Sequence, residues 1–144
     1  MNAVAMPHMR KKIEMEQVRK SLTLDFFGNG KHKISPEKLF DMEKALRLDV
    51  RLKEESDSIS IKFEHHSNVE SLNIPIDEIS DRTDEIPKTK FIGVFCLANV
   101  RSFIVYAYSL SKGFLEVRIV EGGYSALPEA LKPGQVLKVI KCKK

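Results

Sequence analysis

The sequence has few of the residues that mark specialised classes of protein. Its 144 residues include only two cysteines, seven glycines and six prolines, and no tryptophan. Two cysteines are too few for a disulfide framework, and the low glycine and proline content excludes fibrous and low-complexity chains. The apolar runs fall short of the roughly 18 residues that cross a bilayer. We therefore expect a soluble globular protein in a reducing, cytoplasmic setting.

The amino terminus lacks a targeting pattern. Residues 1–9 precede the basic run Arg10-Lys11-Lys12, whereas a secretory signal places its basic residues before a long apolar stretch. The length favours one domain, and 42% hydrophobic and 31% charged residues are close to globular averages. We predict a single domain over 1–144, with a flexible tail over 1–9, a helical part over 10–48 and a β part over 49–144.

Charge is distributed unevenly along the chain, whose formal net charge is +4. Residues 1–40 carry 8 basic and 4 acidic side chains, residues 41–88 carry 7 and 13, and residues 89–144 carry 9 and 3. The middle segment is therefore acidic, and the carboxy-terminal segment is basic. Such a polarised surface is typical of proteins that steer charged partners.

The amino-terminal part shows helical periodicity. Apolar residues recur at helical spacing over 10–27, although the end of this stretch, 21–27, also alternates as a strand does. The sequence Ser35-Pro36-Glu37 is typical of a helix start, because serine caps free N–H groups, proline suits the first position and glutamate complements the helix dipole. We predict a second helix over 36–47.

From residue 50 onward the apolar period changes to two, which indicates strands. We predict a hairpin of Val50–Leu52 and Ile59–Phe63 around a polar loop at 54–58. An edge strand follows over 72–76, since Pro75 bars it from the middle of a sheet. Four further strands are predicted at Phe91–Leu97, Phe103–Leu110, Phe114–Val120 and Val136–Cys142.

Turn residues in the short links between these strands favour antiparallel neighbours. The fold class that follows is α+β: one or two amino-terminal helices pack on a mainly antiparallel sheet of about five to seven strands. Segments 91–97 and 103–108 are apolar on both faces, so something must cover the second face. The candidates are the helices, closure of the carboxy-terminal strands into a small barrel, or a second copy of the chain.

Two segments invite a ligand-binding interpretation that their residues do not support. A phosphate-binding loop over 25–32 would need glycine at Asp25 and serine or threonine at His32, and both are absent. His65 and His66 are adjacent, so on a strand they point to opposite faces and do not share a metal ion. We predict an ordinary glycine turn in the first segment, no metal site and no cofactor.

The two cysteines differ in their surroundings. Cys96 lies within the apolar sequence Phe95-Cys96-Leu97, where a thiol is normally inert packing. Cys142 lies between Lys141 and Lys143, whose charges favour a reactive thiolate if the side chain is exposed. No histidine stands at a telling distance from it. We therefore predict no catalytic residue, and a protein that is not an enzyme.

The preferred function is that of a small non-enzymatic binding or regulatory protein, acting through its sheet on a protein partner or on a second copy of itself. The alternative is nucleic-acid binding to RNA or DNA, with tyrosines that stack bases and cations that meet phosphates. No membrane partner is expected. The residues assigned to the alternative are Arg101, Tyr106, Tyr108, Lys112, Arg118, Lys138 and Lys141.

Overall fold

The computed structural model describes residues 13–58 and 68–123. Within these ranges the helices are α1 (Met15–Ser21), α2 (Leu24–Asn29), α3 (Pro36–Phe40), α4 (Lys53–Ser58) and α5 (Val100–Ser111). The strands are β1 (Lys33–Ile34), β2 (Ala45–Asp49), β3 (Val69–Asn73), β4 (Phe91–Phe95) and β5 (Val117–Val120). Two short 3-10 turns lie between β3 and β4, at Ile76–Glu78 and Thr83–Glu85.

The five strands form one sheet in the order β1-β5-β4-β2-β3, and every neighbouring pair is parallel. The prediction of an α+β fold with a mainly antiparallel sheet or a small barrel is therefore wrong, because this is a parallel α/β fold. The error lies in segment 103–110, which belongs to helix α5 and not to a strand. A helix between two strands returns the chain to the starting edge of the sheet, so the second strand runs parallel to the first.

The amino-terminal helices are shorter than predicted. The stretch over 10–27 contains α1 and α2, which are separated at Thr23, whose side chain accepts a hydrogen bond from the Phe26 amide. Helix α3 begins as predicted: Ser35 Oγ accepts from the Lys38 amide at 3.3 Å. The predicted extent over 36–47 is wrong, since α3 ends at Phe40 and the apolar residues that follow form β2.

The predicted hairpin is also wrong in its described half. The polar segment over 54–58 belongs to helix α4, and residues 50–52 are not part of a strand. Its other half, 59–63, lies outside the described residues, as does the predicted strand over 136–142. The predicted edge strand is confirmed with shifted bounds, because β3 is the last strand of the sheet and ends before Pro75.

Apolar side chains cover both faces of the sheet. Successive residues of a strand point to opposite faces, so Val94 and Cys96 pack in a core with Val105 of α5, while Phe95 packs in another with Leu39 of α3. This two-sided burial explains the near-continuous apolar run in β4. The carboxyl ends of parallel strands meet at one edge, where ligands of such folds usually bind.

His32 is buried in an aromatic cluster near this core. It is 4% exposed, and its ring stacks on Phe26 with centroids 4.9 Å apart. Within the described ranges its Nδ1 atom is buried without a hydrogen-bond partner. Burial lowers the pKa of His32, and the charge of Lys33 adds to this effect against the smaller opposing effect of Glu121.

The buried imidazole should make folding pH-dependent. A histidine whose pKa is lowered by folding binds protons better in the unfolded chain, so stability is complete above the unfolded value, about 6.5, and falls as the pH drops below it. We expect the free energy of unfolding, measured by urea titration, to fall as the pH is lowered from about 7.5 to about 5. His32→Phe should remove that part of the pH dependence, and an unchanged pH profile in this variant would contradict the assignment.

Candidate active site

Cys96 lies at the point where the sheet passes into its longest described helix. It directly follows β4, is 1% exposed, and is separated from the start of α5 by three residues. Asn99, the last of the three, has φ 65°, the left-handed conformation that few residues other than glycine adopt. This conformation turns the chain from strand to helix within a short loop. The Cys96 side chain is thereby held at the amino-terminal end of α5.

The sulfur of Cys96 is hydrogen-bonded to this helix end. The Ser102 amide donates to Sγ, with nitrogen and sulfur 3.3 Å apart. The first amides of a helix have no partner within the helix, and the dipole gives its amino terminus about +0.5 of a charge. Reactive cysteines of other proteins often lie at such helix amino termini.

Two polar side-chain atoms of the residues between Cys96 and the first turn of α5 are buried and have no hydrogen-bond partner among the described residues: Ser102 Oγ and Asn99 Oδ1. Ser102 is 0% exposed. A hydroxyl buried without a partner costs about 1–3 kcal/mol, so such atoms are uncommon and need an explanation.

Arg101 follows this loop and is fixed by Glu55 of α4. Its two terminal nitrogens donate to the two carboxylate oxygens at 2.7 and 3.0 Å, and the Leu52 amide donates to the same carboxylate at 2.8 Å. The hydrogen bond from Arg101 is the main reason that the pKa of Glu55 falls to about 2. The pKa of Arg101 is raised, chiefly by Glu55 and to a smaller extent by the negative charge of Cys96.

A second ion pair connects α4 to the end of β2. Arg51 donates to Asp49 from Nε at 2.9 Å and from Nη2 at 2.7 Å, and both side chains are 1% exposed. Arg51 also donates to the Glu55 carbonyl at 3.5 Å and lies 5.2 Å from the centre of the Phe95 ring. The end of β2 therefore positions α4, and α4 positions Arg101 beside Cys96.

The residues predicted to bind nucleic acid do not share one sheet face. Arg101, Tyr106 and Tyr108 belong to α5, so the predicted placement of the two tyrosines on a strand is wrong. Tyr106 is 5% exposed and packs against Phe26 and His32. Lys112 lies over the Tyr108 ring at 5.2 Å.

The remaining members of that set are scattered or undescribed. Arg118 is on β5, where it donates to the Val117 carbonyl at 2.7 Å and lies over Phe91. Lys138 and Lys141 lie outside the described residues. Nucleic-acid binding, like binding of a protein partner, stays a prediction.

The sequence interpretation missed Cys96. The signal was present: a cysteine at the end of an apolar strand, a residue suited to a left-handed turn, and then a polar helix start, Arg101-Ser102. Because the following segment was assigned to a strand, no helix end was expected near the thiol, and its burial indicated only packing.

The described residues contain neither a membrane-spanning helix nor a metal-binding group of side chains. None of their helices combines the length and the apolar character that a membrane crossing requires. No three of their histidine, cysteine or acidic side chains are grouped so as to hold a metal ion.

Several solved structures are similar to this chain. No protein-family model matches it, and no curated protein sequence does. A rhodanese-related protein from Thermoplasma volcanium is 29% identical over 71% of this chain and 95% of its own, with a TM-score of 0.56. The human single-domain sulfurtransferase TSTD1 is 25% identical over 69% of this chain and 97% of its own, with a TM-score of 0.51.

An NAD-dependent persulfide reductase from A. fulgidus is 32% identical over 72% of this chain, with a TM-score of 0.53. That protein is much longer, as is one other similar structure, and this chain spans only 17% and 18% of their lengths.

These similarities contradict the prediction of a non-enzymatic binding or regulatory protein, because the similar structures are named as sulfurtransferases and reductases, which are enzymes. They also agree with the strand order and the parallel sheet described above. The chain has a rhodanese-like fold, with Cys96 at the junction of a central strand and a helix.

Proposed function

We propose that this chain is a sulfur-transfer enzyme that carries sulfur as a persulfide on Cys96. The observation that carries the proposal is the position of Sγ at the amino-terminal end of α5, where the Ser102 amide donates to it. A thiolate is the form of cysteine that acts as a nucleophile. The names of the similar sulfurtransferase and persulfide reductase structures support the same chemistry.

The reaction needs two displacements and no outside oxidant. In the first, the Cys96 thiolate attacks the outer sulfur of a donor, the new sulfur–sulfur bond forms, and the donor leaves with the electron pair of the broken bond. In the second, an acceptor thiolate attacks the outer sulfur of the Cys96 persulfide and releases the Cys96 thiolate. Splitting one transfer into two steps is the usual benefit of covalent catalysis.

The surrounding residues favour the charged forms of this cycle. The α5 amino terminus stabilises a negative sulfur both in the resting thiolate and in an ionised persulfide. Arg101 and Glu55 fix the loop against α4, so the amides do not need to reorganise when the charge moves outward by one sulfur atom. A cytoplasmic location suits this cycle, because a reducing compartment keeps the thiol free.

Mass spectrometry tests the proposal directly. The protein is incubated with a sulfur donor, and its intact mass should rise by one sulfur atom and return to the original value when an acceptor thiol is added. Peptide mapping should place the added sulfur on Cys96. Sulfur found on Cys142 alone, or no uptake from any donor, would contradict the proposal.

The hydroxyl of Ser102 should hold the outer sulfur of the persulfide. A hydrogen bond to a charged group contributes about 1.5–3 kcal/mol, so Ser102→Ala should shorten the lifetime of the persulfide by about tenfold or more. Stability should not fall, because the hydroxyl has no hydrogen-bond partner among residues 13–58 and 68–123. The lifetime is measured from the decay of the added mass after the donor is removed.

Another serine of the same helix provides the control. Ser109 is also buried, but its hydroxyl already donates to the Val105 carbonyl at 2.8 Å. Ser109→Ala should leave the persulfide lifetime unchanged, and Ser102→Thr should restore it. A shortened lifetime in both alanine variants would indicate a general effect on α5.

A further inference from the structure

The charges of the described site cancel within the protein. Asp49 pairs with Arg51 and Glu55 with Arg101, so the two carboxylates and the two guanidinium groups sum to zero before Cys96 ionises. Glu55 keeps its charge at every pH near neutrality, since its pKa is about 2. The negative sulfur therefore depends on the end of α5 and not on a spare cation.

No cation of this network is left to meet an anionic donor. Arg101 is the single charged residue of the segment 96–102, and its guanidinium engages both oxygens of Glu55. The next cation along β2, Arg47, is 5% exposed and lies 5.5 Å from the centre of the Phe95 ring, inside the core. Helix α4 adds two exposed acids, Glu54 and Asp57, against one exposed basic residue, Lys53.

The exposed side chains around the loop are apolar instead. Leu97, directly after Cys96, is 39% exposed, and Leu52, beside the Glu55 pair, is 43% exposed. Val100 and Ile104 are 67% and 53% exposed and lie one turn apart on α5, so they share a face. Apolar surface of this kind is stabilised when an apolar group covers it, by about 25 cal/mol per Å².

From these two features we infer that Cys96 takes its sulfur from a persulfide on an uncharged, apolar carrier and discriminates against thiosulfate, an inference that rests on the proposed function. Thiosulfate brings two negative charges to a site that has one partial positive charge, about +0.5, at the helix end. A persulfide brings at most one, on the sulfur that is transferred. An uncharged carrier can contact the exposed apolar side chains around the loop without the cost of desolvating a charge.

The step is balanced without a co-reactant. The Cys96 thiolate attacks the outer sulfur of R–S–SH, the bond from Cys96 to that sulfur forms, and the R–S bond to it breaks. The carrier leaves as the thiolate R–S⁻ with the electron pair of the broken bond. The proton remains on the transferred sulfur, and no group is oxidised or reduced overall.

The unmodified protein tests this inference with three donors. They are thiosulfate, the persulfide of mercaptosuccinate, whose carrier has two carboxylates, and the persulfide of benzyl mercaptan, whose carrier is uncharged and apolar. The rate of sulfur addition to Cys96 is followed by intact mass and divided by the rate at which each donor modifies free cysteine. We expect the benzyl donor to exceed both anionic donors by about tenfold or more in this normalised rate.

A variant then tests the charge directly. Glu55→Gln leaves Arg101 without a charged partner. The ratio of the normalised rate with thiosulfate to that with the benzyl persulfide should therefore rise by about tenfold, whatever the loss of Glu55 does to both rates together. Glu54→Gln removes the same charge from the same helix without releasing Arg101, and it should raise this ratio less.

The outcomes separate the two levels of the proposal. If no donor adds sulfur to Cys96, the proposed function itself fails. If sulfur is added but thiosulfate equals or exceeds the benzyl persulfide after normalisation, only the inference about the donor is overturned. The comparison of donors needs no variant, so it stands even if Glu55→Gln does not fold.

Discussion

Replacing Cys96 with serine should lower the rate of sulfur transfer by about a thousandfold or more, the scale seen when a catalytic nucleophile is removed. A serine hydroxyl is not ionised at neutral pH and forms no sulfur–sulfur bond, so neither half of the cycle proceeds. The variant should still fold, because serine is similar in size and the Ser102 amide, now 3.3 Å from the sulfur, can donate to its oxygen. The decisive measurement is the initial rate of transfer from a donor to an acceptor thiol.

The other cysteine of the chain is the matched control. Cys142→Ser changes the same atom in a residue that the proposed cycle does not use, so its transfer rate should equal that of the unmodified protein. A Cys96→Ser variant that keeps a substantial rate would remove the basis of the proposed cycle. If only Cys142→Ser lowers the rate of sulfur transfer, the reactive thiol is Cys142 and not Cys96.

Gly123→Ala should disrupt the loop that holds Cys96. Gly123 has φ +56°, and a Cβ built there would lie 2.1 Å from the Leu97 carbonyl oxygen and 3.3 Å from that of Cys96. These contacts are with backbone, so relief requires the loop itself to move. Overpacking costs about 1–3 kcal/mol, and the left-handed conformation adds about 1–2 kcal/mol for a residue with a Cβ.

Activity should fall further than stability alone explains. A displacement of about 1 Å near reacting groups can lower a rate by about a hundredfold, so we expect a loss of that order in sulfur addition to Cys96, measured where the variant is still folded. Gly28→Ala is the control: Gly28 lies in α2, no atom lies within 4 Å of its added Cβ, and alanine should raise stability by about 0.5–1 kcal/mol. Wild-type sulfur addition in Gly123→Ala would show that this glycine does not support the site.

Local signals in the sequence predicted the elements better than their arrangement. The serine and proline that begin α3 act on adjacent residues, and the short apolar run that predicts β4 depends on burial alone. Helix α5 could not be identified in the same way, because Val105, Tyr106 and Ala107 are consecutive and all buried. A helix enclosed on most sides loses the polar stripe that distinguishes it from a buried strand.

The assignment of α5 to a strand leads to the wrong fold class and conceals the position of Cys96 at a helix end. When α5 is assigned to a strand, the predicted strands connect as antiparallel hairpins. Cys96 then lies inside a predicted sheet and not at the end of a helix. The ion pair between Arg101 and Glu55 joins residues 46 positions apart, and no spacing in the sequence predicts it. The role that we propose for Cys96 depends on this assembled geometry, so residue type and neighbours alone do not predict it.

The same long separation bears on when the site becomes reactive. Contacts between distant residues, and parallel strand pairs above all, form late because the intervening chain must first be ordered. Glu55 reaches Arg101 only after β2 and β4 have paired, since each strand places one partner at the shared edge. If Cys96 carries sulfur as we propose, a newly made chain gains that capacity only when the sheet is complete, in the last stage of folding.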